Sequence, residues 1–161
     1  ASNKTIQDIY TYYGLERTIY RISISEYSNH FILKGGIFLY ALFDKNYLRA
    51  TTDIDLLARK VSNSEIEIKQ IFKDILSIEL DDGLVFDLNS LSITNIREFK
   101  DYHGLNVKVF AYLDKTKIAI SIDIGYGDVV YPCSVEIEFP TILDNYEVPK
   151  IQAYSIETTR A

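Results

Sequence analysis

The stretch that decides the fold is Lys34-Gly35-Gly36, followed sixteen residues later by Asp53-Ile54-Asp55. Strand side chains alternate, so the two aspartates point to the same face of one strand. Adjacent carboxylates in a mainly apolar strand repel each other and are costly to desolvate, and a divalent cation removes both penalties. A glycine turn that opens a helix leaves backbone N–H groups available to bind a phosphate. The pattern therefore predicts phosphoryl or nucleotidyl transfer at a metal-dependent site.

A third acidic residue, Asp123, lies in the segment Ile120–Ile124, where isoleucine alternates with polar residues. The alternation predicts a strand with its isoleucines facing the core and Asp123 on the opposite face. If this strand lies beside the one with the two aspartates, three carboxylates converge and suit one or two Mg²⁺ ions that also bind nucleotide phosphates. The alternative is an ion pair between Asp123 and Lys108 or Lys117 across a hairpin.

Hydrophobic spacing and turn residues predict the surrounding elements. Gly14 is expected to separate two helices, 5–13 and 15–25, with Arg21 among the polar positions of the second. Ser62 and Glu65 are at capping-box spacing for another helix. Pro149 marks a loop, and a last helix is expected to open over 154–161. Strands are predicted at 31–33, 53–58, 84–93, 107–113, 117–124 and 135–139. A further helix is predicted over about 36–46, a turn at Gly104 and a hairpin turn at 114–116. Together they predict an α+β fold with a mixed, mainly antiparallel sheet and packed helices.

Composition predicts one soluble domain over residues 1–161. Of the 161 residues, 47% are hydrophobic and 25% are charged. No apolar run approaches the roughly 18 residues that a membrane span needs. The net charge of -6 argues against a protein that coats nucleic acid with its whole surface, but it leaves enzymes acting on nucleotides open. Cys133 is the single cysteine of the sequence, which excludes an internal disulfide and suits a reducing cytoplasm.

Four segments together resemble the AbiEii/AbiGii toxin family, within the DNA polymerase β-like nucleotidyltransferase superfamily. These segments are Tyr20–Ser23, Phe31–Gly36, Arg49–Leu56 and Ile122–Asp128. The resemblance implies a nucleotidyltransferase-like fold and a cytoplasmic toxin of an abortive-infection or toxin–antitoxin pair. It also implies transfer of a nucleotide from a nucleoside triphosphate to RNA, with tRNA as a candidate acceptor, and neutralisation by a cognate antitoxin.

The resemblance also implies roles for individual residues. Catalysis and Mg²⁺ binding would fall to the three acids, Asp53, Asp55 and Asp123. Nucleotide binding would fall to Lys34, Gly35, Gly36, Arg49 and Thr52. The family pattern continues with an Ala-Glu-Lys motif and a later aspartate, whereas Ala161 is the last residue here. We therefore expect a form of the family domain that is shortened at its C-terminus.

Plainer interpretations of the same residues stay open on sequence alone. Gly35 and Gly36 also suit any tight turn from a strand into a helix, and Lys34 and Arg49 also suit solvated surface positions. An Asp-x-Asp pair is also common at strand ends. The alternative functions are a non-catalytic module that binds a nucleotide or a protein, and a phosphohydrolase that uses the same carboxylates to activate water.

Overall fold

The structure is a computed structural model that describes residues 6–34, 53–96, 104–126, 134–138, 141, 147–148 and 150–154. Neither of the two α-helices within these residues is long and apolar enough to cross a membrane. The helices are α1 (Ile6–Ile24) and α2 (Glu65–Leu76), with a short 3₁₀ turn at Ser28–His30. The strands are β1 (Phe31–Lys34), β2 (Asp53–Ala58), β3 (Leu84–Ile96), β4 (Gly104–Leu113), β5 (Thr116–Tyr126), β6 (Ser134–Glu138) and β7 (Lys150–Tyr154).

The described strands form one mixed sheet in the order β3-β4-β5-β2-β1-β7-β6. Two neighbouring pairs, β2 with β5 and β1 with β7, are parallel, and the four others are antiparallel. The predicted α+β class with a mainly antiparallel sheet is therefore confirmed. The order places β2 between β1 and β5, so the two strands that carry the predicted acids are neighbours.

The two faces of the sheet differ in burial because apolar and polar residues alternate along its central strands. On one face, Ile54 and Leu56 of β2 and Ile122 of β5 are fully buried. The helices lie on this side, where the ring centroids of Phe72 in α2 and Phe31 in β1 are 5.6 Å apart. We call this the covered face, and we call the opposite face, which carries the alternate residues of the same strands, the outer face.

The helix α1 continues through Gly14, so the predicted break at this residue is wrong. Gly14 serves packing, because a Cβ at this position would lie 2.8 Å from Ile120 Cδ1 and 3.0 Å from Ile118 Cγ2 of β5. The missing side chain lets α1 lie close against the covered face. This contact offsets the roughly 1 kcal/mol that glycine costs in a helix interior.

The start of α2 lies two residues later than predicted. Ser64 is the N-cap, and its hydroxyl accepts a hydrogen bond from the Glu67 N–H at 3.4 Å. The Ser62 hydroxyl accepts a bond from the Ser64 N–H at 2.9 Å, within the turn that leads into the helix. Ser64 and Glu67 have the same spacing as Ser62 and Glu65, so the capping-box rule alone did not separate the two starts.

The predicted hairpin is confirmed as β4 and β5, joined at Asp114, which has a left-handed φ of 56°. Gly104 is the first residue of β4, although the sequence predicts a turn there. Residues 150–154 form β7 between β1 and β6, although the sequence predicts a loop after Pro149. These partners come from distant parts of the chain, so local spacing could not reveal the strand. The last helix, expected over 154–161, lies outside the described residues apart from Tyr154.

A buried ionic network joins α1 to the loop before β3. Arg21 donates to both carboxylate oxygens of Asp82, at 2.8 and 3.1 Å, and both side chains are 1% exposed. The Tyr13 hydroxyl donates to the Asp82 carbonyl at 2.7 Å. Glu16 and Arg17 form a second buried pair at 2.9 Å. Glu16, Arg17 and Arg21 of α1 therefore face the interior, which helical spacing alone did not indicate.

Candidate functional site

The strand β2 has the predicted bounds, 53–58, and carries its two aspartates on the outer face. Asp53 is exposed and Asp55 is half-buried, whereas Ile54 between them is fully buried on the covered face. The remaining residues of the strand, Leu56–Ala58, are buried as well. The strand is thus anchored by its apolar residues and presents its carboxylates at the end where it begins.

Direct strand pairing aligns four polar residues across the outer face. Lys34 of β1 is opposite Asp55, Asp55 is opposite Asp123 of β5, and Asp123 is opposite Asn106 of β4. Directly opposite residues point to the same face, and hydrogen-bonded strands lie about 4.7–4.9 Å apart. The prediction that the two acidic strands are neighbours is confirmed. We call these four residues the acidic row.

A second row runs beside the acidic row, two residues earlier on β2 and β5 and two residues later on the antiparallel β4. Asp53 is opposite Ser121, and Ser121 is opposite Lys108. Asp53, Lys108 and Asp123 line an open cleft of about 510 Å³, together with residues from the first turns of α1. This volume falls within the range of about 300–1,000 Å³ that is usual for small-molecule sites.

Asn106 fixes the orientation of the Asp123 carboxylate. Its Nδ2 donates to Asp123 Oδ1 at 2.7 Å and to Ser121 Oγ at 3.0 Å. Asn106 is only 7% exposed, and its Oδ1 has no hydrogen-bond partner among the described residues. A buried acceptor without a partner costs about 1–3 kcal/mol. An ordered water or another external donor would remove this cost.

The lysines predicted as alternative partners of Asp123 are not opposite it. Lys108 is opposite Ser121, and the Nζ of Lys117 lies 3.9 Å from the centroid of the Phe110 ring. The sequence interpretation missed Asn106 because it started the strand at Val107, three residues after the observed start of β4. The alternation of apolar and polar residues over 105–109 contained the signal that β4 begins earlier.

The Lys34 side chain reaches across β2 toward β5. A Cβ built on Gly125, two residues beyond Asp123, would lie 3.4 Å from Lys34 Nζ. The ammonium group therefore lies on the same face as the acids, in space that the missing side chain of Gly125 leaves open. This position argues against a lysine that merely extends into solvent.

Several predicted site residues cannot be placed, and the metal site stays a prediction. The nucleotide-binding residues outside the described ranges are Gly35, Gly36, Arg49 and Thr52, and the helix predicted over 36–46 also lies there. Within the described ranges, no group of three or more His, Cys, Asp or Glu side chains is arranged to hold a metal ion. Mg²⁺ does not require such a cage, because it usually binds through one or two carboxylates plus substrate phosphates.

Tyr126, at the end of β5, is a hydrogen-bond donor and not a base near neutral pH. Its hydroxyl donates to the Ser62 carbonyl at 2.9 Å. Burial, followed by the negative charge of Glu67, raises the pKa of Tyr126 to about 12. The phenol therefore stays protonated and ties the end of β5 to the segment that precedes α2.

Known proteins share this fold and part of its sequence. The family model described as nucleotidyl transferase AbiEii toxin, type IV TA system, matches residues 17–161. A search of the curated proteins finds no match. Among solved structures, JHP933 from Helicobacter pylori aligns with a TM-score of 0.55 and 16% identity, over 96% of this chain and 55% of that one. A second H. pylori structure, of a candidate nucleotidyltransferase, aligns with a TM-score of 0.53 and 16% identity, over 97% and 57%.

The two solved structures show that the fold is nucleotidyltransferase-like, and at this identity they show the fold alone. The chain spans 55% of the length of the first structure and 57% of the second. The residues matched by the family model include all of the predicted site residues, from Lys34 to Asp123.

Proposed function

The chain belongs to the nucleotidyl transferase AbiEii toxin family, and from this premise we propose that it transfers a nucleotide from a nucleoside triphosphate to an RNA acceptor. In this proposal the protein is the toxin of a type IV toxin–antitoxin pair and is neutralised by a cognate antitoxin protein. It acts in the cytoplasm, where both substrates are available, and tRNA is one candidate class of acceptor.

The observation that carries the proposal is the register between β2 and β5. Asp55 and Asp123 are directly opposite each other, and Asp53 lies two residues away on the same face. These three carboxylates repel one another, and within the two rows they outnumber the lysines, Lys34 and Lys108. Such an arrangement lowers the stability of the chain by itself, whereas a site that binds a cation and a polyphosphate requires it.

The donor atoms present fit Mg²⁺. The carboxylates of Asp53, Asp55 and Asp123 supply the hard oxygen ligands that this ion prefers. Asn106 Oδ1, which is buried and unpartnered among the described residues, is a further oxygen acceptor beside them. When bound, one or two Mg²⁺ ions would neutralise the triphosphate and the charge that develops during transfer.

The residues of the chain have distinct tasks in this proposal. Asn106 holds Asp123 through Oδ1, which leaves the second carboxylate oxygen for a cation or for the proton of an attacking hydroxyl. Lys34, which lies over β2, supplies positive charge for the polyphosphate. The proposed further contacts to the nucleotide come from Gly35, Gly36, Arg49 and Thr52.

The test combines a binding and a transfer measurement on the double variant Asp53→Asn/Asp55→Asn. Thermal unfolding is followed with each ribonucleoside triphosphate, with and without Mg²⁺, and labelled triphosphate is incubated with bulk RNA. We expect the native chain to be stabilised by one triphosphate only when Mg²⁺ is present, and to label RNA. The double variant should lose both properties, because neutral amides replace the two carboxylates of β2.

A matched control removes the same charge from exposed positions outside both rows. Asp81 and Asp114 are exposed, and asparagine tolerates the left-handed backbone of residue 114. The variant Asp81→Asn/Asp114→Asn should therefore behave like the native chain. Normal RNA labelling by the Asp53→Asn/Asp55→Asn variant would refute the proposal. Label released to water instead of RNA would support a phosphohydrolase, and no response to any triphosphate would support a non-catalytic module.

A further inference from the structure

The outer face carries an exposed group of basic and aromatic residues next to the acidic row. Lys108, Phe110 and Tyr112 follow Asn106 at alternate positions of β4, so all of them point to the outer face. Phe110 is 37% exposed, and Val85, which is opposite Tyr112 on β3, is 68% exposed. We call these four residues, together with Lys117 of β5, the basic-aromatic patch. Exposed apolar groups of this kind mark interaction sites more often than scattered surface residues do.

The chemistry of the patch suits a single-stranded nucleic acid, which combines negatively charged phosphates with bases that are free to stack. Lys117 Nζ lies 3.9 Å from the centroid of the Phe110 ring, so an aromatic surface and a mobile positive charge occur together. Lys108 is exposed beside them, although the whole chain has a net charge of -6. Asp87, which is opposite Phe110, places one carboxylate at the rim of the patch. The local charge still favours a polyanion over an acidic or apolar protein surface.

The patch is continuous with the candidate catalytic cleft. Lys108 lines the same cleft as Asp53 and Asp123, and it is opposite Ser121 in the second row. Lys34 is at the other end of the acidic row, on β1. An in-line displacement places the attacking and leaving groups on opposite sides of the transferred phosphorus. With the triphosphate on the β1 side, the acceptor would approach from the side of β4.

We infer that the basic-aromatic patch binds the single-stranded end of the acceptor RNA and leads its terminal hydroxyl to Asp123. This inference rests on the proposed nucleotidyl transfer and adds where the acceptor lies. Bases stack on exposed aromatic rings of open sheets, and lysines beside the rings bind the phosphates. Bases inside a duplex cannot stack on the Phe110 ring, because both of their faces are already covered by neighbouring base pairs.

The inference is tested by RNA binding in the absence of Mg²⁺ and triphosphate, so that no transfer takes place. The fluorescence anisotropy of a short labelled single-stranded RNA is followed with the whole chain. Phe110→Ala should weaken binding about tenfold or more, because one stacked base is lost, whereas Phe110→Trp should retain the native affinity. Lys108→Ala/Lys117→Ala should lower the slope of log affinity against log salt by about 1.4, which is the value for two lost phosphate contacts on a single strand.

A matched control removes two exposed lysines from α2, which packs on the covered face. Lys69→Ala/Lys73→Ala changes the net charge by the same amount and should leave RNA affinity and its salt dependence as in the native chain. Thermal unfolding of each variant checks that it is folded. The substituted positions are exposed, so the stability of all variants should stay close to that of the native chain.

Several outcomes would decide against the inference, and two others separate it from the proposed transfer. It is wrong if the native chain does not bind the RNA, if both sets of patch variants bind it like the control, or if a duplex of the same sequence binds equally well. It is also wrong if the patch substitutions abolish binding of the cognate antitoxin and leave RNA affinity unchanged. Patch-dependent RNA binding without any RNA labelling would support the patch and refute the proposed transfer. If the patch variants labelled RNA at the native rate and with the native affinity, the proposed transfer would be supported and the patch would be refuted as the acceptor site.

Discussion

On the covered face, the carboxylate of Asp82 receives two hydrogen bonds from Arg21 and is closed off from solvent, whereas on the outer face Asp55 and Asp123 are half-buried and directly opposite each other. The first carboxylate is matched by a cation from the same chain. In the acidic row, Asp55 is opposite a second carboxylate as well as Lys34, and the neighbouring Asn106 keeps a buried acceptor without a partner among the described residues.

The comparison distinguishes charged residues that stabilise the fold from charged residues that we propose bind a ligand. A buried ion pair is strongly stabilising only in the sense that removing one partner leaves the other charge buried and uncompensated. Clustered carboxylates do the opposite, since their repulsion is relieved when one of them is removed. Substitutions in the acidic row should therefore lower activity and leave stability unchanged or higher. Substitutions in the Arg21–Asp82 pair should lower stability and leave the activity of the folded protein unchanged.

The largest effect is expected from Asp55→Asn/Asp123→Asn in the acidic row. RNA labelling should fall on the order of 10³-fold, because several kcal/mol of charge stabilisation are lost. The free energy of unfolding in urea should stay constant or rise, since the repulsion between the two carboxylates is removed. A clear loss of stability in this variant would show that Asp55 and Asp123 stabilise the fold, as Arg21 and Asp82 do. It would contradict the proposed difference between the two faces.

The next largest effect is expected from Arg21→Met on the covered face. Asp82 would keep its buried charge without its partner, so the free energy of unfolding should decrease by about 3–5 kcal/mol. Urea unfolding measures this loss, and RNA labelling by the folded fraction should be retained. The exposed Arg59 provides the control, because Arg59→Met should change stability by no more than about 0.5 kcal/mol. Equal stability of the two variants would count against a structural role for the Arg21–Asp82 pair.

The sequence predicted the elements of the outer face better than the partners of their side chains. The bounds of β2 and the alternation around Asp123 follow from short-range patterns, and both are confirmed. The alternation over 105–109 could place Asn106 on a strand, but not its hydrogen bond to Asp123, 17 positions away. The pairing of Arg21 with Asp82 spans 61 positions and has no short-range pattern. The strand at 150–154 was missed for the same reason, since its pairing depends on β1 and β6.

A smaller effect is expected from Asn106→Ala, which tests a positioning role beside the acids. The Asp123 carboxylate would lose its donor, so RNA labelling should fall about 10- to 100-fold. The Mg²⁺ concentration needed for half-maximal labelling should rise, which a purely structural contact would not cause. Asn95→Ala, at an exposed position of β3, is the control and should change neither quantity. An unaltered Mg²⁺ requirement of the Asn106→Ala variant would exclude the positioning role.

The smallest effect is expected from Gly14→Ala, where the covered face leaves little space. Overpacking against Ile118 and Ile120 costs about 1–3 kcal/mol. Alanine returns about 1 kcal/mol of helix propensity, so the net loss should be about 1 kcal/mol in urea unfolding. A variant that is more stable than the native chain would show that close packing is not the reason for glycine at this position.

The central claim is that acids from two neighbouring parallel strands hold a cation together with a triphosphate. Titration of Mn²⁺, followed by its electron paramagnetic resonance signal in the presence of a non-hydrolysable triphosphate, tests it most directly. We expect Mn²⁺ to bind the native chain and the Asp81→Asn/Asp114→Asn control with the same affinity. Asp55→Asn and Asp123→Asn should each weaken that binding about tenfold or more, because each variant loses one of the proposed carboxylate ligands. Equal Mn²⁺ affinity in all four proteins would contradict the claim.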